Sequence, residues 1–339
     1  MMKSFIFGAS GYSGAQLAAL IQHHPNFELA GLGVSQHSQD AHKPLSDLYG
    51  QLKGQVDAIL QPINESNLSA LKNEMDLIFL ATPHEVSQQW VPILAGGKAK
   101  ILDLSGAFRL SDSQQVRAFY DFSHSDQALA ESAVYGLVDW YADTIAGADL
   151  VAVPGCYPTA SLLALKPLQQ AGLLNEAAKP VVNAVSGVSG AGRKAALKTS
   201  FCEVSLQAYG VLGHRHQPEI AQELGAPVIF TPHLGNFKRG ILATITAQLK
   251  PGVDDGAVWE AFHKAYKHSP LIRLIPGFPK LDDVVGSAYC DIGWKCQGQD
   301  IVIGSAIDNL LKGAAAQALQ CANLVADLPM NTGLNGGKP

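Results

Sequence analysis

What this 339-residue chain lacks narrows its function first. No apolar run approaches the ~18 residues that a membrane-spanning helix needs, so no membrane association is expected. The opening MMKSFIFGAS lacks a signal-peptide layout, because its apolar residues end at once in a glycine loop. There is no CxxC pair, and five cysteines is an odd number for a disulfide framework, which points to a reducing, cytoplasmic setting. Cys290 and Cys296 lack nearby histidines, so no metal site is expected. Charged residues make up only 16%, the net charge is −5 and the Lys and Arg are scattered, which leaves no basic footprint for nucleic acid. The 47% hydrophobic content is that of a compact globular protein, long enough for two domains with full cores.

What is there centres on Val153-Pro154-Gly155-Cys156-Tyr157-Pro158-Thr159-Ala160. Leu150 to Val153 reads as a short buried strand, and Pro158 with the apolar Ser161–Leu168 stretch as the first turns of a helix. Cys156 then sits at a strand-to-helix turn, where free N–H groups and the helix dipole favour an anion. A free cysteine, of pKa about 8.5, is mostly thiol at neutral pH, and a helix start with a nearby cation lowers that value. Cys156 is therefore read as a nucleophile rather than a small buried hydrophobe.

The chain opens on a strand, Ser4 to Phe7, that runs into Gly8-Ala9-Ser10-Gly11-Tyr12-Ser13-Gly14 and an amphipathic helix, Ala15 to His23. Strand, glycine turn and helix start form a pyrophosphate cradle. The spacing is G-x-x-G-x-x-G rather than G-x-G-x-x-G, so the context carries the reading, with Phe27 to Val34 following as a second strand. An NAD site usually has an acid at the end of that strand for the ribose 2′-OH. Here stand Ser35, Gln36, His37 and Ser38, with Lys43 beyond, which suits the 2′-phosphate of NADP better. The alternation continues through strands Asp76–Ala81 and Lys100–Leu104, whose carboxyl ends carry Thr82, His84, Ser105 and Arg109. Arg109 is a fork donor suited to carboxylate or phosphate, or equally to a surface ion pair, and His84 reads as structural.

In the second half, a strand Val181–Val185 leads to the loop Ser186-Gly187-Val188-Ser189-Gly190-Ala191-Gly192-Arg193-Lys194, whose amides and two cations make an anion site. Gly213-His214-Arg215-His216-Gln217-Pro218 runs into a helix from Pro218. Its histidines share a face if the segment is extended, and one of them serves as general acid and base, His216 before His214. Strands Val228–Thr231, Gly240–Gln248, Ala288–Trp294 and Asp300–Ala306, with the helix Val258–Lys267, read as a mixed or antiparallel sheet with one helical layer and an open face suited to a homodimer or homotetramer. Asn309 opens an alanine-rich helix and either bonds a carboxamide or caps it. The expected fold is α/β: a Rossmann-type dinucleotide-binding domain over residues 1–149 and 308–339, its C-terminal helix returning to it, plus an α+β catalytic and oligomerisation domain over 150–307.

GASGYSG at 8–14, PGCYPTA at 154–160, SGVSGAGRK at 186–194, GHRHQPEI at 213–220 and AIDNLLKGAA at 306–315 together resemble the N-acetyl-γ-glutamyl-phosphate reductases of arginine biosynthesis, over nearly the whole chain. The wider group is similar to aspartate-semialdehyde dehydrogenase. The resemblance implies NADPH-dependent reduction of N-acetyl-γ-glutamyl phosphate to N-acetyl-L-glutamate 5-semialdehyde, with a thioester on Cys156 and acid–base work by the HRH segment. It implies cofactor contacts from Gly8 to Gly14 and from Ser35, Ser38 and Thr82, with Asn309 facing the nicotinamide. Arg109, Ser186, Gly187, Arg193 and Lys194 would hold the substrate's phosphate and carboxylate, and no metal is needed because phosphate leaves readily. The competing expectations are a reductase of aspartyl or aminoadipyl phosphate, an inert NADP-binding regulator, or a glyceraldehyde-phosphate type dehydrogenase.

Overall fold

The computed structural model describes residues 1–334. Among the described residues the chain divides into two units, Met1–Gly155 with residues 314–334, and Cys156–Gly313. The expected boundaries, 149/150 and 307/308, each shift six residues towards the C-terminus. The first shift has a plain cause: Leu150–Ala152 is not the opening of the second unit but a strand of the first sheet. Residues 335–339, assigned by sequence to the first unit, lie outside the described residues.

The first unit is built on seven strands, β1 (Met2–Phe7), β2 (Phe27–Ser35), β3 (Leu60–Ile63), β4 (Leu77–Leu80), β5 (Lys100–Asp103), β6 (Val134–Tyr135) and β7 (Leu150–Ala152). They lie in the order β3-β2-β1-β4-β5-β7-β6, every pairing parallel. A parallel sheet is covered on both faces, so its central strands read as unbroken apolar runs, and β4, Leu-Ile-Phe-Leu, is buried at every position. The order steps away from β1 in both directions, which makes the gap beyond the carboxyl ends of β1 and β4 the place where such sheets hold a ligand. The two edge strands escaped sequence reading. β3 contains Pro62, which argues against a strand in general but is tolerated at an edge, and β6 is two residues long.

A helix, Ala316–Val325, belongs to this unit and packs on the helices Val138–Ala146 and Tyr12–Gln22. Polar contacts hold it there: His24 Nε2 lies 3.0 Å from Asn323 Oδ1 and 3.1 Å from the Thr332 carbonyl, and Cys321 Sγ donates to the Gly136 carbonyl at 3.3 Å. The His24 ring stacks on Phe27 at 4.0 Å, and its Nδ1 accepts the Asn26 N–H.

The second unit opens with the helix Cys156–Gln170, whose Tyr157–Leu165 stretch is buried throughout. Its sheet takes β8 (Val181–Gly187), β9 (Gln207–Ala208), β10 (Ile229–Gly235), β11 (Ile241–Gln248), β12 (Ile272–Leu274), β13 (Cys290–Gln297) and β14 (Asp300–Ile307) in the order β12-β13-β14-β11-β8-β10-β9. Pairing is mixed: β8 with β10 and β12 with β13 are parallel, the rest antiparallel. Along β11, Ile241, Ala243, Ile245 and Ala247 are buried while Thr244, Thr246 and Gln248 are exposed, the period-two signature of a sheet covered on one side. The cover includes Cys156–Gln170 and Asp255–Tyr266, tied by Tyr266 Oη donating to the Leu163 carbonyl at 2.6 Å.

Candidate active site

The glycine cradle is a close approach of two strand ends. Gly8 adopts φ +74°, which only glycine takes without strain, and a Cβ there would lie 2.3 Å from the Ala81 carbonyl oxygen at the end of β4. The following helix, Tyr12–Gln22, starts at Gly11 with no side-chain cap and no acid in its first turn. The first-turn N–H groups of a helix have no intrahelical partner, so this end suits a pyrophosphate. Tyr49 Oη donates to the Ser10 carbonyl at 2.9 Å and fixes the loop, with the Tyr12 ring edge-on to Tyr49. At the end of β2, Ser35 is exposed and its carbonyl accepts the Ser38 N–H, so both hydroxyl residues stand on one tight turn. Lys43, taken from sequence as a cation for the same place, lies 3.9 Å from Asp40, which offsets its charge.

At the carboxyl ends of β4 and β5 a polar chain runs inward. Thr82 Oγ1 lies 2.8 Å from Ser87 Oγ, which donates to Asp103 Oδ1 at 2.9 Å, and Asp103 also accepts from the Ser105 N–H and hydroxyl. Asp103 is fully buried, and burial raises its pKa against the opposing pull of Ser105, Ser87 and the Arg109 charge. Arg109 is itself buried: Nε donates to the Val153 carbonyl at 2.8 Å and Nη2 to that of Leu104 at 2.7 Å. Much of its fork thus grips the strand ends, including the residue three before Cys156. His84 packs edge-on to Tyr120 and stacks on Phe122.

Cys156 is the first residue of its helix and half-buried. One side of it is closed by Gly313, where a Cβ would lie 2.8 Å from Cys156 Cβ. Gly313 belongs to a π-helical turn, Leu311–Ala315, and its N–H donates to the Asp308 carbonyl five residues back. Tyr157, next to the cysteine, donates from Oη to the His233 carbonyl at 3.0 Å and accepts from Tyr209 Oη at 3.2 Å. Burial, then the neighbouring Tyr209 and Cys156, push its pKa far above the usual range, so the hydroxyl remains a donor.

The histidine segment is not extended. Arg215 is helical, and the helix begins at His216 rather than at Pro218. That turn brings the rings of His214 and His216 edge to face at 4.7 Å. The two differ in kind. His214 Nδ1 accepts the His216 N–H at 3.1 Å, capping the helix start, and burial followed by the Arg215 charge pushes its pKa down to about 4. It is neutral at pH 7 with the proton on Nε2, a tautomer assigned from that hydrogen bond. His216 is buried, with Tyr157 edge-on at 5.8 Å.

The glycine-rich loop after β8 is firmer than its composition suggests. The N–H groups of Gly187, Val188 and Ser189 donate to the carbonyls of Gly240, Phe237 and Lys238. Those three amides therefore serve packing, which corrects the expectation of a free nest. Ser186 is buried beside Tyr157, its hydroxyl donating to the Gly187 carbonyl at 3.1 Å, whereas Arg193 and Lys194 are exposed. Asn309 is buried: Oδ1 accepts the Gly240 N–H at 2.7 Å and Nδ2 donates to Ser189 Oγ at 3.0 Å. Its neighbour Asp308 pairs with Arg239 at 2.6 Å and accepts from Gly286, Leu310 and Leu311 N–H groups. The structure thus groups Cys156, His214, His216 and Ser186 around Tyr157, and joins Asn309 to the Ser189 turn. Sequence reasoning missed the Tyr157 side chain, Tyr209 and Gly313. A glycine inside the alanine-rich run after Asn309 was the available signal for the last.

The cradle and the cysteine helix define a two-unit dinucleotide-linked oxidoreductase, and the chain belongs to the semialdehyde dehydrogenases. The family's NAD binding domain matches residues 4–148 and its dimerisation domain residues 156–309. Among individual relatives, it is 62% identical over 326 residues to the N-acetyl-gamma-glutamyl-phosphate reductase of Pseudoalteromonas atlantica, covering 96% of this chain and 95% of that one. The protein of the same name from Pasteurella multocida is 57% identical over 335 residues, 98% of this chain and 100% of the other. Of solved structures, aspartate semialdehyde dehydrogenase II from Vibrio cholerae, complexed with ASA, has a TM-score of 0.71 at 19% identity, covering 96% of this chain and 98% of its own. The enzyme from Candida albicans, solved with NADP, has a TM-score of 0.67 at 14% identity, covering 96% and 98%. At such identities the likeness is one of fold.

Proposed function

We propose that the protein reduces N-acetyl-γ-glutamyl phosphate with NADPH to N-acetyl-L-glutamate 5-semialdehyde and phosphate. The observation that carries this is the near-full-length identity to reductases of that name, met by a half-buried cysteine at a helix start whose next residue, Tyr157, lies edge-on to both histidines. Cys156 gives its proton to His216, and the thiolate attacks the acyl carbon while the N–H groups at the helix start hold the oxyanion. The acyl–oxygen bond breaks, phosphate leaves and a thioester remains. Bound NADPH would supply the hydride for its reduction; His216 returns a proton to the carbonyl oxygen, and as the thiohemiacetal collapses the hydroxyl proton passes back through His216 to the departing sulfur, which frees the aldehyde and the cysteine. The glycine cradle fits a pyrophosphate because Gly8 and Gly14 let the loop close on Ala81 and on itself, where Cβ atoms would strike backbone, in front of the uncapped helix start, and Ser10, Gly11, Tyr12 and Ser13 complete it. Ser35 and Ser38 would hold the 2′-phosphate, Thr82 would line the strand end, and Asn309 would orient the carboxamide. Arg109, Ser186, Arg193 and Lys194 serve the substrate's anionic groups, whereas the Gly187 amide is held by the Gly240 carbonyl.

The active form is a homodimer or homotetramer. Supporting this are the match to a dimerisation domain, the open face of the second sheet, and apolar side chains such as Phe201 and Leu212 that are 94% and 65% exposed. A cytoplasmic setting fits the free cysteines. The test is phosphate-dependent oxidation of the semialdehyde with NADP⁺. Turnover of the N-acetylated aldehyde should far exceed that of aspartate semialdehyde; the reverse preference refutes the substrate.

A further inference from the structure

Tyr209 lies outside every motif in the sequence. It follows β9, in a segment whose other large apolar residues, Leu206, Val211 and Leu212, are exposed. Tyr209 is itself 38% exposed, but its hydroxyl and one edge of its ring meet Tyr157 and His214. The backbone N–H donates to the Pro232 carbonyl at 3.0 Å, setting Tyr209 beside His233, whose carbonyl takes the Tyr157 hydroxyl. Tyr209 Oη then donates to Tyr157 Oη, completing a chain Tyr209, Tyr157, His233. The Tyr209 ring also stands edge-on to His214 at 5.5 Å and 74°. Two rings flank His216, Tyr157 at 5.8 Å and His214 at 4.7 Å, and Tyr209 touches both.

We infer that Tyr209 is a positioning residue for the reaction: it fixes the two rings that hold His216 and the residue that follows Cys156. The inference rests on the functional reading above. It touches no reacting atom in the argument; it acts by keeping the base aimed and the helix start in register. A hydrogen bond between two neutral hydroxyls fixes orientation at a modest energy, and a small misplacement of a base costs rate more than binding. Burial, opposed by the bond to Tyr157 and reinforced by the Cys156 charge, raises the pKa of Tyr209, so its hydroxyl stays protonated and able to donate.

The test compares Y209F, which removes only the hydroxyl, with Y209A, which also removes the edge contact to His214. Three quantities are read: kcat and KM for semialdehyde oxidation, the pH dependence of Cys156 alkylation by iodoacetamide followed on its own peptide, and the urea midpoint. Y209F should lose roughly three- to tenfold in kcat with KM within about twofold, and Y209A more. The alkylation midpoint should rise in both as the imidazole drifts from the thiol. Wild-type kcat and an unshifted alkylation profile in Y209F overturn the inference, as does a kcat loss that merely follows a lowered urea midpoint. If the unmodified enzyme fails to oxidise the semialdehyde, the functional reading falls instead. The alkylation profile then decides on Tyr209 alone, a shift sustaining the inference and no shift ending it.

Discussion

The two histidines should separate cleanly under mutation, because His214 caps a helix start while His216 is the proposed acid and base. In H214A the His216 N–H loses its acceptor, at a cost of about 0.5–2 kcal/mol for a lost cap, with the edge contacts to Tyr157, Tyr209 and Phe230 adding about 1 kcal/mol. H214N restores an acceptor two residues before the amide and should recover most of that. The pH dependence adds a second signature. The folded-state pKa of His214, about 4, lies below its unfolded value of 6.5, so the folded protein binds fewer protons. Its contribution is complete above the unfolded value and is lost as pH falls from about 6.5 towards 4. The bound is roughly 3 kcal/mol, and about 1–2 kcal/mol once solvent reaching the ring is counted. Urea unfolding from pH 4 to 8 should show a shallower decline in H214N than in wild type. In the semialdehyde assay H216N should lose roughly 10²–10⁴-fold in kcat, and H214N tenfold or less. An H214N enzyme as impaired as H216N, with unfolding as pH-dependent as wild type, would refute the division of roles.

Replacing Cys156 by Ala should abolish phosphate-dependent oxidation while leaving NADPH binding, read by fluorescence titration, within about twofold; retained turnover sinks the nucleophile. G8A must find room for a methyl 2.3 Å from the Ala81 carbonyl at φ +74°, so it should lower stability by about 1–3 kcal/mol and weaken NADPH binding at least tenfold, measured by urea melts and titration. Burial lowers the pKa of His24, so its share of stability is present at neutral pH and drains away as pH falls below about 6.5. H24Q should flatten that limb, and an unchanged pH–stability curve would show that the tie to Asn323 and Thr332 is incidental.

The cradle was legible because its chemistry is local: a strand, glycines at fixed spacing and a helix start lie within one short run, as do the apolar cysteine helix and the long second-unit strands. What escaped is whatever depends on partners far apart in the chain. Leu150–Ala152 was recognisable as a strand, but its place beside Lys100–Asp103 is a pairing decision that no local pattern carries. The order of preference between His214 and His216 was readable only as proximity to a helix. What distinguishes the two in the structure, a His214 ring nitrogen spent on a cap, appears once Arg215 turns helical. Likewise the loop at 186–192 looked like a free anion nest because glycine and serine permit one. Its amides are instead taken by Phe237, Lys238 and Gly240, and Asn309, over a hundred residues away, closes the arrangement.

The π turn at Leu311–Ala315 makes the length of the chain a constraint as much as its composition. Gly313 reaches Cys156 because one residue more than a regular helix requires lies between it and the Asp308 carbonyl it bonds. Insert one residue between Leu310 and Lys312, with every side chain kept elsewhere, and the residue in the fifth place becomes Lys312, whose Cβ would need the space that Cys156 Cβ now fills. A deletion instead leaves Gly313 four residues after Asp308, where an ordinary helical bond reaches the same carbonyl. Insertions are commonly tolerated in loops; here, inside an alanine-rich segment, a single added residue would press a side chain against Cys156.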